Sequence, residues 1–280
     1  AQILLTAFSA VGDETVLSGL EKYLSPEHQP ACYAFIDEWN ASAEQEKLFE
    51  IADDITERMR LTGRLEKVDT AILMQSDSLP CIDAVIIERF LQEIAENVIK
   101  TEEILKVTES RRTSKWYNRY AYLYDGLYYI AKMQEFHYAH ITGFHFGTEK
   151  ELWDSYCKEL YWMDTYYRRL HMDFRKSLFN TLGTLDDLFK SAVVTAEHLY
   201  QNWYLSELNG SWNSLIKESV ADGFSQNGIL QQDDFYRRVV QPIARESRVF
   251  VIISDALRYE VATELTEKLL RETNGTAKQS

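Results

Sequence analysis

Proline is scarce in this sequence of 280 residues: there are four, and none falls between Pro80 and Pro242. Glycine is thin as well, with 11 residues. Both shortages remove the usual interruptions of helices, so the middle of the chain is predicted to be long and helical. Cysteine is scarcer still. Cys32, Cys81 and Cys157 are odd in number, far apart and in no C-x-x-C arrangement. That excludes a disulfide framework or a zinc knuckle and fits a reducing cytoplasm. No apolar run approaches membrane-spanning length. The opening Ala1-Gln2-Ile3-Leu4-Leu5 lacks both a basic lead and an initiator Met, and reads as the cut edge of a longer chain. A Walker-type phosphate loop, a G-x-G-x-x-G and a nucleophile elbow are also missing.

Positive charge is in short supply. The 30 Lys and Arg face 44 Asp and Glu, for a net charge of −14, which argues against broad attraction to nucleic acid or anionic lipid. Residues 1–110 carry 9 Lys and Arg against 22 Asp and Glu, so almost all of the excess sits at the front. A solvated helical surface accounts for that better than a docking face for a basic partner.

What remains is ample for a packed core: 45% of residues are hydrophobic and 13% aromatic, in a length that suits one or two domains. Helices are predicted near Glu14 to Leu24, Ala31 to Trp39 and Leu48 to Arg60. After Asp77-Ser78-Leu79-Pro80, the residues Ile82, Val85, Ile86, Phe90, Ile94 and Val98 recur at helical spacing. Another helix is expected from Trp116 to His140. Trp153, Tyr156, Leu160, Met163, Tyr167, Leu170 and Phe174 then alternate at spacings of three and four, an apolar seam along a long helix. Leu185, Leu188, Ala192, Ala196, Leu199 and Trp203 repeat the pattern after a turn at Asn180-Thr181-Leu182-Gly183-Thr184. The two segments should therefore form an antiparallel hairpin. Asn209-Gly210-Ser211 and Asp222-Gly223 read as breaks, followed by a short helix ending near Pro242.

Two groupings invite a functional reading. His137 and His140, with Glu135 and His145, loosely approach metal-ligand spacing, but Phe136, Tyr138, Phe144 and Phe146 around them favour histidines of a packed core. Arg111, Arg112, Lys115 and Arg119 interleave with Trp116, Tyr117 and Tyr120, and Tyr166-Tyr167-Arg168-Arg169 adds a second spot. That composition suits stacking on single-stranded bases, though helical spacing sends many of these aromatics into the core.

The most specific feature is Val249-Phe250-Val251-Ile252-Ile253-Ser254-Asp255. Its unalternating apolar run reads as a parallel strand covered on both faces, delivering Asp255 at its carboxyl end, where ligands of open α/β sheets gather. Val261, Leu265, Leu269 and Leu270 continue at helical spacing, with Asn274-Gly275 as the stop. A carboxylate in this place suits a divalent cation, or caps the helix that follows. Arg258 has the geometry to reach a phosphoryl oxygen or to make a structural ion pair. Ser254 reads as a capping residue rather than a nucleophile.

The run VFVIISDALRYEVATEL from Val249 to Leu265 closely resembles the opening strand and helix of the PglZ domain, the alkaline-phosphatase-like domain of type A PglZ proteins in bacterial BREX phage-defence systems. Leu20 to Trp39, Leu79 to Ile82, and Gln231 with Phe235-Tyr236 are similar to the family's helical region. The resemblance implies a mainly α chain: an all-α domain over 1–245 with a long antiparallel hairpin, then, over 246–280, one strand and helix of a truncated α/β alkaline-phosphatase-like core. It implies a parent that is a metal-dependent phosphatase or phosphodiesterase-like hydrolase, in which Asp255 holds a divalent metal (zinc, magnesium and manganese being undistinguished) and Arg258 is an accessory phosphoryl contact. The family's nucleophile and remaining ligands would lie beyond Ser280, so this segment alone is expected to be catalytically silent. Its helices would serve as scaffold or docking region for other BREX proteins, including the DNA methyltransferase. The alternatives are a structural protein that keeps the phosphatase-like fold without its chemistry, and a nucleic-acid-binding helical module around Arg111 to Tyr120.

Overall fold

The computed structural model describes residues 1–11, 14–179, 182–217 and 231–277. Helix is the regular structure throughout, and no strand forms among the described residues. The chain divides into two compact units. One comprises Ala1–Glu135 with Arg169–Ala196, the other Phe136–Arg168 with Glu197–Ser280. The helices Tyr117–Ala139, Tyr161–Ser177 and Thr184–Glu197 contribute residues to both.

In the first unit the helix Gln2–Phe8 packs on Gln29–Asn40, and Gln45–Arg58 packs on Pro80–Ala95. Pro80 sits in the first turn of its helix, where its missing N–H costs nothing. Five of the six residues of the predicted seam, Ile82, Val85, Ile86, Phe90 and Ile94, are buried. Val98 is exposed because Asn97 adopts a left-handed conformation (φ 63°) that stops the helix after Ala95. Gly19 (φ 77°) likewise follows the short helix Glu14–Leu17, so the helix expected to run on to Leu24 is broken there. The core of this unit includes Trp116, Tyr124, Phe90 and Phe189, all close to fully buried.

The two seams form the antiparallel hairpin expected of them, and the second unit holds its open end, within Phe136–Arg168 and Glu197–Ser280. Tyr204 donates to the Leu160 carbonyl at 3.0 Å while Tyr167 reaches Glu197 at 2.9 Å, so one helix rises as the other descends. Thr148 caps the first of them, its Oγ1 accepting from the Glu151 N–H at 3.2 Å. Both helices carry a π-helical turn, Tyr156–Leu160 in the first and His198–Leu205 in the second. A π turn takes an extra residue and rotates the register of what precedes or follows it. Leu152 is therefore buried where the even spacing placed Trp153, which is 42% exposed. In the partner helix Tyr200 and Tyr204 point inward in place of Leu199 and Trp203.

Two expectations are corrected. Asn209-Gly210-Ser211 does not break the chain but lies inside the helix Ser206–Ile216, Gly210 being tolerated at the modest cost of a helical glycine. The strand from Val249 to Ile253 is not formed. Its residues carry strand propensity, but no segment among the described residues pairs with them, and a strand obtains its hydrogen bonds from a neighbour. The stretch is solvent-exposed, with Ile252 at 90% and Ile253 at 91%. The break expected at Asp222-Gly223 and the turn residues Asn180-Thr181 lie outside the described residues.

Gly126, inside the helix Tyr117–Ala139, lies against Phe189 so closely that a Cβ added there would overlap the ring. Replacing a helical glycine by alanine gains about 1 kcal/mol of propensity, whereas overpacking a core costs about 1–3 kcal/mol. Gly126→Ala is therefore expected to lower stability, read as a reduced urea midpoint with an unchanged slope.

Candidate functional site

The exposed apolar run of residues 249–253 leads through Ser254 into a turn at Asp255 and Ala256, the latter in the left-handed region (φ 55°). Asp255 is exposed and makes no hydrogen bond or ion pair with the described residues. Arg258 is also exposed and takes the N-cap position of the helix Tyr259–Glu272, without capping it by its side chain.

The start of that helix is fastened to the rest of its unit. Tyr259 donates to the Cys157 carbonyl, in the first π turn, at 3.0 Å, and its ring packs edge-on against Tyr156 and Tyr161. Glu260 is 1% exposed. The Arg168 guanidinium lies between two carboxylates one helical turn apart: its Nη2 donates to Glu264 Oε1 at 2.6 Å and its Nε lies 3.6 Å from Glu260 Oε1. Burial pushes the Glu260 carboxyl above its ordinary value, and the nearby Asp164 charge adds to that, against the lowering charges of Arg168 and Arg258.

Beneath this helix, Asp164 gathers three tyrosine hydroxyls: Tyr200 at 2.5 Å, Tyr156 at 2.9 Å and Tyr204 at 3.0 Å. Burial, then the Asp164 charge, holds all three phenols well above their usual range, so each is a donor. Tyr200 also stacks on Tyr167, with ring centroids 3.7 Å apart. Asp164, Tyr200, Tyr204 and Glu260 were not singled out in the sequence. The available signal was the density of tyrosine in 156–167, and the π turns hid which of those tyrosines face inward.

The other groupings resolve into packing. His140 stacks on Phe136 at 4.2 Å and its Nδ1 lies 2.9 Å from the Phe136 carbonyl; His137 meets the Trp203 ring edge-on at 4.4 Å. Burial lowers the His137 pKa. His145 Nε2 lies 2.6 Å from the Thr142 carbonyl, and Glu135 is taken by Lys132. No group of three His, Cys, Asp or Glu among the described residues could hold a metal ion. As a single open carboxylate, Asp255 suits a hard divalent cation as one donor of a set, and the described residues do not supply the set.

The basic and aromatic residues of 111–120 are turned into the first unit. Arg111, 3% exposed, donates through Nε to Asp83 at 2.9 Å and through Nη1 to the Ser76 carbonyl at 2.9 Å. Tyr124 donates to the same Asp83 oxygen at 2.5 Å. Burial drives the Asp83 carboxyl upward against the pull of Arg111. Lys115 pairs with Asp77 at 2.6 Å and Asp37 at 2.9 Å, and Arg119 meets Asp53 through both terminal nitrogens. Trp116 and Tyr120 are buried, whereas Arg112 stays on the surface beside Glu109. In the second spot, Tyr166 stacks on Trp162 and Arg168 belongs to the cluster already described. Arg111 and Lys115 thus pair with the internal carboxylates of Asp83 and Asp77, while Arg112 and Arg119 pair with carboxylates at the surface.

Residues 235–280 match the family model of the BREX system PglZ alkaline phosphatase-like domain. The chain is related to the PglZ family. It is 29% identical over 288 residues to the alkaline phosphatase-like protein BrxZ of Escherichia coli O9:H4 (strain HS), an alignment covering 99% of this chain and 33% of that protein. It is 27% identical over 231 residues to the alkaline phosphatase-like protein PglZ of Bacillus cereus (strain H3081.97), covering 82% of this chain and 26% of that one. The chain thus spans about a third and about a quarter of the lengths of these PglZ-type relatives. No solved structure matches it significantly.

Two stability outcomes follow from the buried charges. Arg111→Met leaves the Asp83 carboxylate buried without its cation and is expected to cost about 3–5 kcal/mol, measured by urea denaturation; Asp83→Leu added to it should recover part of the loss. Asp77 behaves oppositely to Asp83: burial would raise its pKa, but hydrogen bonds from the Lys115 side chain, the Lys115 N–H and Tyr33 outweigh that and leave it lowered. Its stabilisation is fully present above the unfolded value near about 4 and is lost as pH falls through the lower folded value. Asp77→Asn should flatten the decline of the urea midpoint on the acid side.

Proposed function

We propose that this chain is the helical lead-in and the first apolar segment, turn and helix of a BREX phosphatase-like hydrolase, with Asp255 as one ligand of its divalent metal. The observation that carries the reading is the family match over 235–280, within which Asp255 stands open to solvent at the end of an apolar run and ahead of a helix. The metal, when bound, would polarise a phosphoryl oxygen or activate an attacking oxygen. Within this chain the residues act as holders: Asp255 offers its carboxylate, Arg258 is the accessory contact for a phosphoryl oxygen, and the Tyr259 to Glu264 turn fixes where both stand. The nucleophile and the other ligands are supplied outside these residues, so the segment by itself is silent. The helices serve as scaffold and as a docking region for other BREX components, the DNA methyltransferase among them, in the bacterial cytoplasm. No helix among the described residues is long and apolar enough to cross a membrane.

A second reading keeps the phosphatase-like fold without the chemistry. Asp255→Asn in the full-length protein separates the two. The hydrolase reading expects loss of bound divalent metal and a fall in phosphodiester hydrolysis of about a hundredfold or more. Unchanged metal content and unchanged turnover would leave Asp255 a structural relic.

A further inference from the structure

We infer that the cleft between the loop of residues 142–147 and the helix Ser206–Ile216 binds a small organic cation with several N–H donors, an amine or a guanidine. The inference stands apart from the reading of Asp255. Loop and helix both belong to the second unit, and the residues lining the cleft all precede the 235–280 match.

The cleft measures about 380 Å³, a size that holds a small ligand. Its loop wall is fixed at both ends. The Gly143 N–H donates to the His140 carbonyl at 2.9 Å, and the Gly147 N–H donates to Glu151 Oε2 at 2.9 Å. Between them Phe144, 4% exposed, packs against the rings of Trp203 and Tyr204. The helical wall presents Ser206, Glu207, Gly210, Ser211 and Ser214, which recur at i, i+1, i+4, i+5 and i+8 and so share one face. Gly143 (φ 81°) lets the two walls approach, since a Cβ there would fall 2.5 Å from Glu207 Oε2. Gly210 opens the middle of the cleft, for a Cβ built on it meets nothing within 4 Å.

The hydrogen bonds already made decide the ligand. His145 Nε2 lies 2.6 Å from the Thr142 carbonyl, which can only accept, so Nε2 carries the proton and Nδ1 of the neutral ring is left as an acceptor. Ser206 donates its hydroxyl to the Gln201 carbonyl at 3.3 Å and Ser214 to the Gly210 carbonyl at 2.9 Å, which leaves each oxygen with lone pairs to offer. Glu207 adds a carboxylate that has no hydrogen-bond or ion-pair partner among the described residues. Among the described residues, no Lys or Arg lines the cleft. Three committed donors and one carboxylate make a surface of acceptors with negative charge. Such a surface rejects phosphate and carboxylate ligands and suits a cation whose N–H groups outnumber its acceptors. Phe144, Phe146 and Leu215 supply aromatic and apolar contact for the cation and its carbon chain.

The test uses the full-length protein, with spermidine and agmatine as probes titrated by calorimetry at physiological salt. Glu207→Gln is expected to weaken both by about tenfold. Gly210→Leu extends a side chain into the cleft while raising helix propensity, so it should abolish binding and leave the urea midpoint at or above that of the parent. Ser211→Met, a second blocking substitution on the same face, should do the same to binding. Glycerol, a neutral hydrogen-bonding probe, should displace neither cation. The inference is overturned if neither probe binds. It is also overturned if both bind as tightly after the Glu207 and Gly210 substitutions, the mark of general attraction to a chain of net charge −14. Loss in Glu207→Gln alone would put the cation outside the cleft, and loss in the blocking variants alone, or displacement by glycerol, would remove the need for a charge; each of these results rejects the site as described.

Discussion

The carboxylate of Asp164 takes the hydroxyls of Tyr156, Tyr200 and Tyr204, and most of the second unit is arranged to permit it. Hydrogen bonds to a charged acceptor contribute about 1.5–3 kcal/mol each, toward the lower end here because Asp164 is only partly buried. Two of these bonds, from Tyr200 and Tyr204, join the two helices of the hairpin at a point where an apolar seam would have left them free to slide, and the third, from Tyr156, stays within the helix of Asp164. Both π turns serve this junction, by bringing Tyr200 and Tyr204 to the inner face of one helix and Leu160 to that of the other. The same polar floor is what Glu260 and Tyr259 settle upon.

In the first unit the equivalent constraint is the buried pair of Asp83 and Arg111 with Tyr124. A buried ion pair stabilises less than its attraction suggests, since both ions lose water. Its value lies in direction: Arg111 reaches the Ser76 carbonyl and Asp83 holds Tyr124, so the turn before Pro80 and the helix Tyr117–Ala139 are set in one register. Asp77 repeats the device nearby with Lys115, Tyr33 and the Trp116 indole, which donates to its carbonyl. A strongly acidic sequence thus keeps several of its few cations inside.

Much of this was legible beforehand. The seam from Ile82 to Ile94 was read correctly because an α-helix repeats every 3.6 residues and nothing interrupts it. The seams of the hairpin were read correctly at Leu160, Met163, Leu170, Leu185, Ala192 and Ala196, and one residue out of step at Trp153, Leu188, Leu199 and Trp203. Widened turns leave no fixed mark in the residue order, since Tyr200 and Leu199 are equally good core candidates. The histidines at 137 and 140 were rightly expected in packing, from the aromatics around them. Asp255 and Arg258 stood out from the sequence, whereas Asp164 and Glu260 did not and Arg168 did only as part of a basic aromatic spot, because their relation spans nearly a hundred residues.

By itself the sequence determined where helices form, that a carboxylate follows the apolar run before Tyr259, and which family the chain resembles. Those are properties of neighbouring residues: spacing, propensity and a short motif. Tertiary structure alone decided which tyrosines meet Asp164, that Arg111 and Lys115 turn inward, and that residues 249–253 remain without a ladder. An ion pair, a shared carboxylate and a strand each need a partner distant in the chain, and the partner's position is fixed only when the helices pack.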